Sequence, residues 1–102
     1  MHKLLTTLAA VVAVLAIATQ AFGAGATVKV ADNKFVAKKV HVSKGATVTW
    51  KWTGRNPHNV TFGSFHSGTV VKGTYKHRFT KRGTFSYRCT IHSGMTGKVV
   101  VG

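Results

Sequence analysis

Acidic residues are almost missing from this chain: among its 102 residues Asp32 stands alone against fifteen lysines and arginines. A body with a formal charge of +14 cannot present an acidic surface. It draws anionic proteins, anionic membranes or nucleic acid without telling them apart. Cysteine is nearly as scarce. The single thiol, Cys89, rules out a disulfide within the chain, although small exported domains often depend on one. A lone thiol in an oxidising compartment calls for something to occupy it, and a bound metal would do so while stabilising the folded state. Long apolar runs are lacking too. The one from Leu8 to Ala18 spans eleven residues, against the roughly 20 that a membrane-spanning helix needs.

That run follows Met1-His2-Lys3 and gives way to small residues out to Ala26, so it reads as the apolar region of a secretory signal peptide. Cleavage is placed after Gly23, with Ala21 and Ala26 as the other small-residue exits; an uncleaved membrane anchor is the alternative. On this division residues 1-23 are a helical leader. Residues 24-102 form one domain of 79 residues, exported to the periplasm or another extracytoplasmic space and carrying +13 once Lys3 is gone. A core that small supplies only a few kcal/mol of net stability, which again favours a metal brace.

No sustained helical period, internal repeat or low-complexity tract follows the leader. Short runs alternate apolar and polar residues between glycine turns, and β-branched and aromatic types dominate them, so the domain is expected to be all-β. The alternation predicts strands over 27–30, 38–42, 46–52, 60–62, 74–79, 84–89 and 97–101. It sets Val40 and Val42 inward with His41 on the solvated side, and Ala46, Val48, Trp50 and Trp52 on one buried face. Phe85, Tyr87 and Cys89 share an inward face by the same period of two. Many short strands at such spacing suggest a sandwich or a barrel.

The chemistry is concentrated near the C-terminus. Cys89-Thr90-Ile91-His92-Ser93-Gly94-Met95 places a thiolate, an imidazole and a thioether three residues apart in a tight turn between two strands. Asn56-Pro57-His58-Asn59-Val60 offers a second imidazole upstream. Taken singly, each residue has an ordinary explanation: a buried cysteine as a small hydrophobe, a half-exposed histidine, a methionine filling a core gap. Together His58, Cys89, His92 and Met95 make the two-histidine, one-cysteine, weak-methionine set of electron-transfer copper sites. Zinc accepts cysteine and histidine, but the thioether and the affinity order favour copper. His41, His66 and His77 are expected to lie outside the site, with His77 packed at a core edge.

These motifs resemble those of the small cupredoxins, the plastocyanin and amicyanin group. Pro57-His58-Asn59-Val60 looks like the first-histidine motif of that family, and the segment from Tyr87 to Met95 looks like its ligand loop, with the short His-to-Met spacing of amicyanin-like members. The likeness runs from Thr27 to Gly102 and implies a Greek-key β-sandwich, cupredoxin-like, with one type 1 copper ion at one end. It also implies that Asn59, just outside the ligand set, ties the His58 segment to the backbone after Cys89. Ile91 and Ser93 stand where the family often has proline, so the loop has less built-in stiffness.

The function expected on this reading is one-electron transport between redox partners through Cu(I)/Cu(II) cycling. His92 is the port, and Ile91, Gly94 and Met95 form an apolar surround. The donor and acceptor should present acidic surfaces. Association with an anionic membrane surface is a further consequence of the charge, nucleic acid is not expected as a partner after export, and the protein is expected to be a monomer. The competing role is a copper scavenger or chaperone that binds and delivers the metal. A polycationic surface binder with a purely structural metal is a second competitor. An enzymatic role is not expected, because four protein ligands leave no open coordination position for substrate.

Overall fold

The structure is a computed structural model that describes residues 22–102; almost all of the leader assigned to 1-23 lies outside this range. Six strands follow in order: β1 (Gly23–Ala31), β2 (Lys34–Val36), β3 (Lys39–Trp52), β4 (Thr74–Arg78), β5 (Gly83–Arg88) and β6 (Thr96–Val101). The described part is all-β.

The runs expected at 38–42 and 46–52 are one strand, β3, and it builds the sandwich. Its first part, Lys39 to Val42, pairs in parallel with β6. Its second part, Thr47 to Trp52, pairs in parallel with β1, and the stretch from Thr47 to Lys51 also pairs antiparallel with β4. Between the two, Gly45 has a φ of +93°, a conformation costly for residues with a Cβ. The chain there passes from one layer to the other. The turn is secured by the Lys44 amide donating to the Gly102 carbonyl at 3.0 Å and the Gly45 amide to the Phe79 carbonyl at 2.6 Å. One layer is therefore β2-β1-β3-β4, and the other uses the start of β3 beside β6 and β5.

Inward residues of the two layers meet around Trp50, which is fully buried. Its ring lies 5.4 Å from Tyr87, 5.7 Å from Phe62 and 5.8 Å from Tyr75, centroid to centroid. Tyr87 in turn packs edge-on against Phe35 of β2 at 4.7 Å. Burial pushes the Tyr87 phenol up to about 12, an effect the nearby Trp50 indole tempers. A side chain at Gly97 would run into the Tyr87 ring, so β6 needs glycine where it crosses β5. Tyr87 is thereby held with Cys89 two residues on, facing the same interior.

Two local expectations change. Residues 60–62 form no strand: Val60 and Phe62 are buried, but the segment pairs only through Thr61, which bridges Arg88 on one side and His66 on the other. His41 is half-buried rather than solvated, with the ring of Phe22, a residue assigned to the leader, edge-on at 5.5 Å.

Candidate metal centre

Three potential ligands converge beyond the end of β5 and the start of β6. His58 Nδ1 lies 3.1 Å from His92 Nδ1 and 4.0 Å from Cys89 Sγ, and His92 Nδ1 lies 3.4 Å from the same sulfur. All three donor atoms fall within 4.8 Å of one another, the one such group among the described residues. His66 is exposed and bonds the Ser67 carbonyl through Nδ1 at 2.8 Å. His77 stacks on Phe65 with centroids 3.6 Å apart, and desolvation lowers its pKa.

Each donor is placed by backbone bonds around it. Strand β5 delivers Cys89 inward, and the Cys89 amide donates to the Met95 carbonyl at 3.0 Å, closing the loop on itself. Gly94 turns that loop with φ +79°. Met95 then lies fully inside, 1% exposed. It therefore adds nothing to the apolar surround expected at the His92 port, which is left to Ile91, 51% exposed, and Gly94.

His58 is set from the other side. Its amide and carbonyl exchange bonds with Val70, both at 3.0 Å, and its carbonyl also accepts from Trp52 Nε1 at 3.0 Å. Thr61 and Arg88 exchange a similar pair at 2.9 and 3.1 Å, which runs the His58 segment alongside the end of β5.

Asn59 links the two sides. Its Oδ1 accepts from the Thr90 amide at 3.0 Å and from Thr61 Oγ1 at 2.8 Å, while Nδ2 donates to Thr90 Oγ1 at 2.8 Å and Thr69 Oγ1 at 2.9 Å. Its own amide points at Cys89 Sγ, 3.5 Å away.

One participant was not singled out by sequence. Asp32, in the two-residue turn between β1 and β2, places Oδ1 2.8 Å from His58 Nε2. The hydrogen bond with His58, then those from the Asn56 and Arg55 amides, hold its carboxyl down to about 2. From sequence Asp32 registers only as a charge; it lies 26 residues from His58, and no local pattern joins them.

A larger concavity of about 880 Å³ lies beside β5 and β6, edged by Lys38, Lys39, Arg88 and Lys98. It contains none of the three donors.

A β-sandwich that brings a thiolate and two imidazoles together beside a buried thioether defines a class, the small copper-binding sandwich domains. Residues 4–101 match the family model for the cupredoxin-like domain; the chain belongs to the cupredoxin-like family. Amicyanin-alpha of Methylorubrum extorquens is 41% identical over 93 residues, 82% of this chain and 78% of that protein. The amicyanin of Paracoccus denitrificans is 40% identical over 82 residues, 72% of this chain and 63% of that one. Among solved structures, an oxidized proline-to-alanine mutant of amicyanin superimposes with a TM-score of 0.71 at 34% identity, covering 78% of this chain and 83% of its own. A purple cupredoxin from Nitrosopumilus maritimus gives 0.71 at 21% identity, covering 76% of this chain and 99% of its own, a likeness of fold alone. Family and donor chemistry agree on the cofactor, one copper ion in a type 1 site.

Proposed function

We propose that this protein is an exported one-electron carrier in which His58, Cys89 and His92 would hold copper with the Met95 thioether as a weak fourth ligand. The observation that carries this reading is the convergence of the three donor atoms within 4.8 Å. Copper bound there supplies a Cu(II)/Cu(I) couple. The chain contributes a frame cross-tied around the donors: Cys89 and Met95 are joined by a backbone bond, and Asn59 clamps their loop to the His58 segment. A fixed frame keeps the rearrangement accompanying electron transfer small. Cys89 gives the covalent thiolate contact, the two imidazoles suit both oxidation states, and the thioether imposes little preference of its own. Four protein ligands would leave no open position on the metal for a substrate, so the reading is of a carrier and not of an enzyme.

His92 serves as the port because it is the one ligand that is not fully buried, and Ile91 beside it offers apolar contact. The physiological donor and acceptor are redox proteins with acidic surfaces, drawn by a body that has one carboxylate, itself engaged with His58. Such transient complexes use small interfaces whose on-rate is raised by complementary charge and lowered by salt. Residues 1-23 act as the export signal, and the mature domain works as a monomer in the periplasm.

The test is reconstitution with Cu(II). The native chain should develop an intense thiolate-to-copper band toward the red end of the visible, and Cys89→Ser should not; a colourless native product would overturn the copper reading. Carrier and chaperone separate on retention. A carrier keeps its copper through repeated oxidation and reduction in the presence of a competing copper-binding protein, whereas a chaperone surrenders it within minutes. Exchange with redox partners that speeds up with added salt would remove the acidic-partner part.

A further inference from the structure

The sequence has one acidic side chain, and the fold places it at the back of a buried imidazole. Asp32 is drawn into place by three donors: His58 Nε2 at 2.8 Å, the Asn56 amide at 3.0 Å, and the Arg55 amide, shared between both carboxylate oxygens at 3.1 Å. Its turn and the His58 loop are pinned together again where the Thr53 amide donates to the Val30 carbonyl at 3.0 Å. Room for this approach depends on Gly54, where a Cβ would collide with the Asp32 carboxylate and come within 2.9 Å of its backbone nitrogen. Such an arrangement is not a chance surface ion pair. His58 is 0% exposed, and its other ring nitrogen, Nδ1, is the one facing Cys89 and His92.

Two consequences follow from that geometry. A neutral imidazole has one N–H and one lone pair, so the ring that donates from Nε2 to Asp32 presents its lone pair from Nδ1 toward the metal site. A carboxylate accepting that N–H also pushes electron density toward Nδ1, making the ring a stronger donor. A stronger nitrogen donor and a nearby negative charge both favour the more highly charged cupric ion over the cuprous one. Asp32 is the one acidic side chain of the sequence, so no other side chain can supply that negative charge.

We propose that Asp32 is the positioning and tuning residue of the copper site: it fixes the Nε2–H tautomer of His58, strengthens Nδ1 as a ligand, and lowers the reduction potential by stabilising Cu(II) more than Cu(I). The proposal rests on the copper reading above, but its first consequence exists without the metal. In the copper-free protein at pH 8, two-bond proton–nitrogen correlation NMR should find the His58 proton on Nε2. A proton on Nδ1 would overturn the proposal, whatever the protein does with copper.

With copper bound, Asp32→Asn should lose about 10–100-fold in Cu(II) affinity and less in Cu(I) affinity. The potential should then rise, by 59 mV for each factor of ten between the two losses. Gly54→Ala keeps the charge but displaces the carboxylate, so it should raise the potential in the same direction and mix the His58 tautomers. It also serves if Asp32→Asn does not fold. Potentials and Cu(II) affinities equal to those of the native protein, in whichever variant folds, would leave Asp32 a structural turn residue and sink the tuning role. If the native protein takes up no copper, the copper reading fails instead, while the tautomer result still stands.

Discussion

The two histidines of the site differ in almost everything but their ligand atom. His58 is wholly buried, bonded through its backbone to Val70 and Trp52 and through Nε2 to Asp32. His92 is half exposed, and the ring contacts described for it are to His58 and Cys89 alone. One imidazole belongs to the scaffold and the other to the surface. A carrier needs both kinds: an immobile ligand to hold geometry and an accessible one through which an electron can leave. The asymmetry comes from chain placement. His58 follows β3, the strand that crosses both layers, and Asp32 closes the neighbouring β1–β2 turn, while His92 lies midway along a loop whose far end, Met95, is pulled inside.

The largest test removes the centre that both histidines share. Copper should stabilise the native fold by about 4 kcal/mol when free metal exceeds its dissociation constant a thousandfold. For a domain of this size that corresponds to a rise of roughly 15–30 °C in melting temperature. Cys89→Ser should lose most of that rise while melting near the copper-free native protein. An equal copper-induced rise in both proteins would mean that the metal is held by the histidines and not by the thiolate.

The asymmetry itself can be broken by replacing each ring with glycine and offering free imidazole to the copper-loaded variant. His92→Gly opens a gap at the surface, and imidazole should restore the visible band. His58→Gly leaves its gap behind Asn59 and Val60, both buried, so the band should return poorly or not at all. Equal rescue of the two variants would show that the burial difference has no functional meaning. A smaller effect is expected where the halves are tied. Asn59→Ala removes the acceptor of the Thr90 amide and three further side-chain bonds. It should cost about 1–3 kcal/mol by chemical denaturation and about 10–100-fold in copper affinity.

How much of this was legible in the sequence depended on distance along the chain. Cys89, His92 and Met95 lie in one turn, so their spacing alone indicates a metal; β4, β5 and β6 follow from alternation with one-residue shifts at their ends, whereas β1 begins at Gly23, four residues before the expected Thr27. The crossing of β3 was not legible. A run of inward residues broken by Ser43-Lys44-Gly45 looks like two strands until the partners on either side, β6 and then β1 with β4, are known. Strand β2 was missed because three residues with one inward ring, Phe35, carry no period. The pairing of Asp32 with His58 was hidden for the same physical reason as the crossing: it exists only after β1 and β3 are side by side.

A third histidine supplies the smallest test, because it is half-buried by ring packing and lies outside the metal centre. His77 lies flat against Phe65 and edge-on to Phe79, with centroids 4.8 Å apart in the second contact, and desolvation lowers its pKa from 6.5. The unfolded chain therefore takes up a proton near pH 6.5 that the folded chain resists. Stability tied to this ring is fully present above that pH and is lost as pH falls through the lower folded value. His77→Phe keeps a flat ring on Phe65 and removes the titration. Between pH 7 and pH 5 the copper-free native protein should lose more of its denaturant midpoint than the variant does, the other histidines being common to both. Identical pH slopes would mean that His77 is solvated enough to protonate in place, and the contrast between packed and metal-facing imidazoles would then rest on His58 and His92 alone.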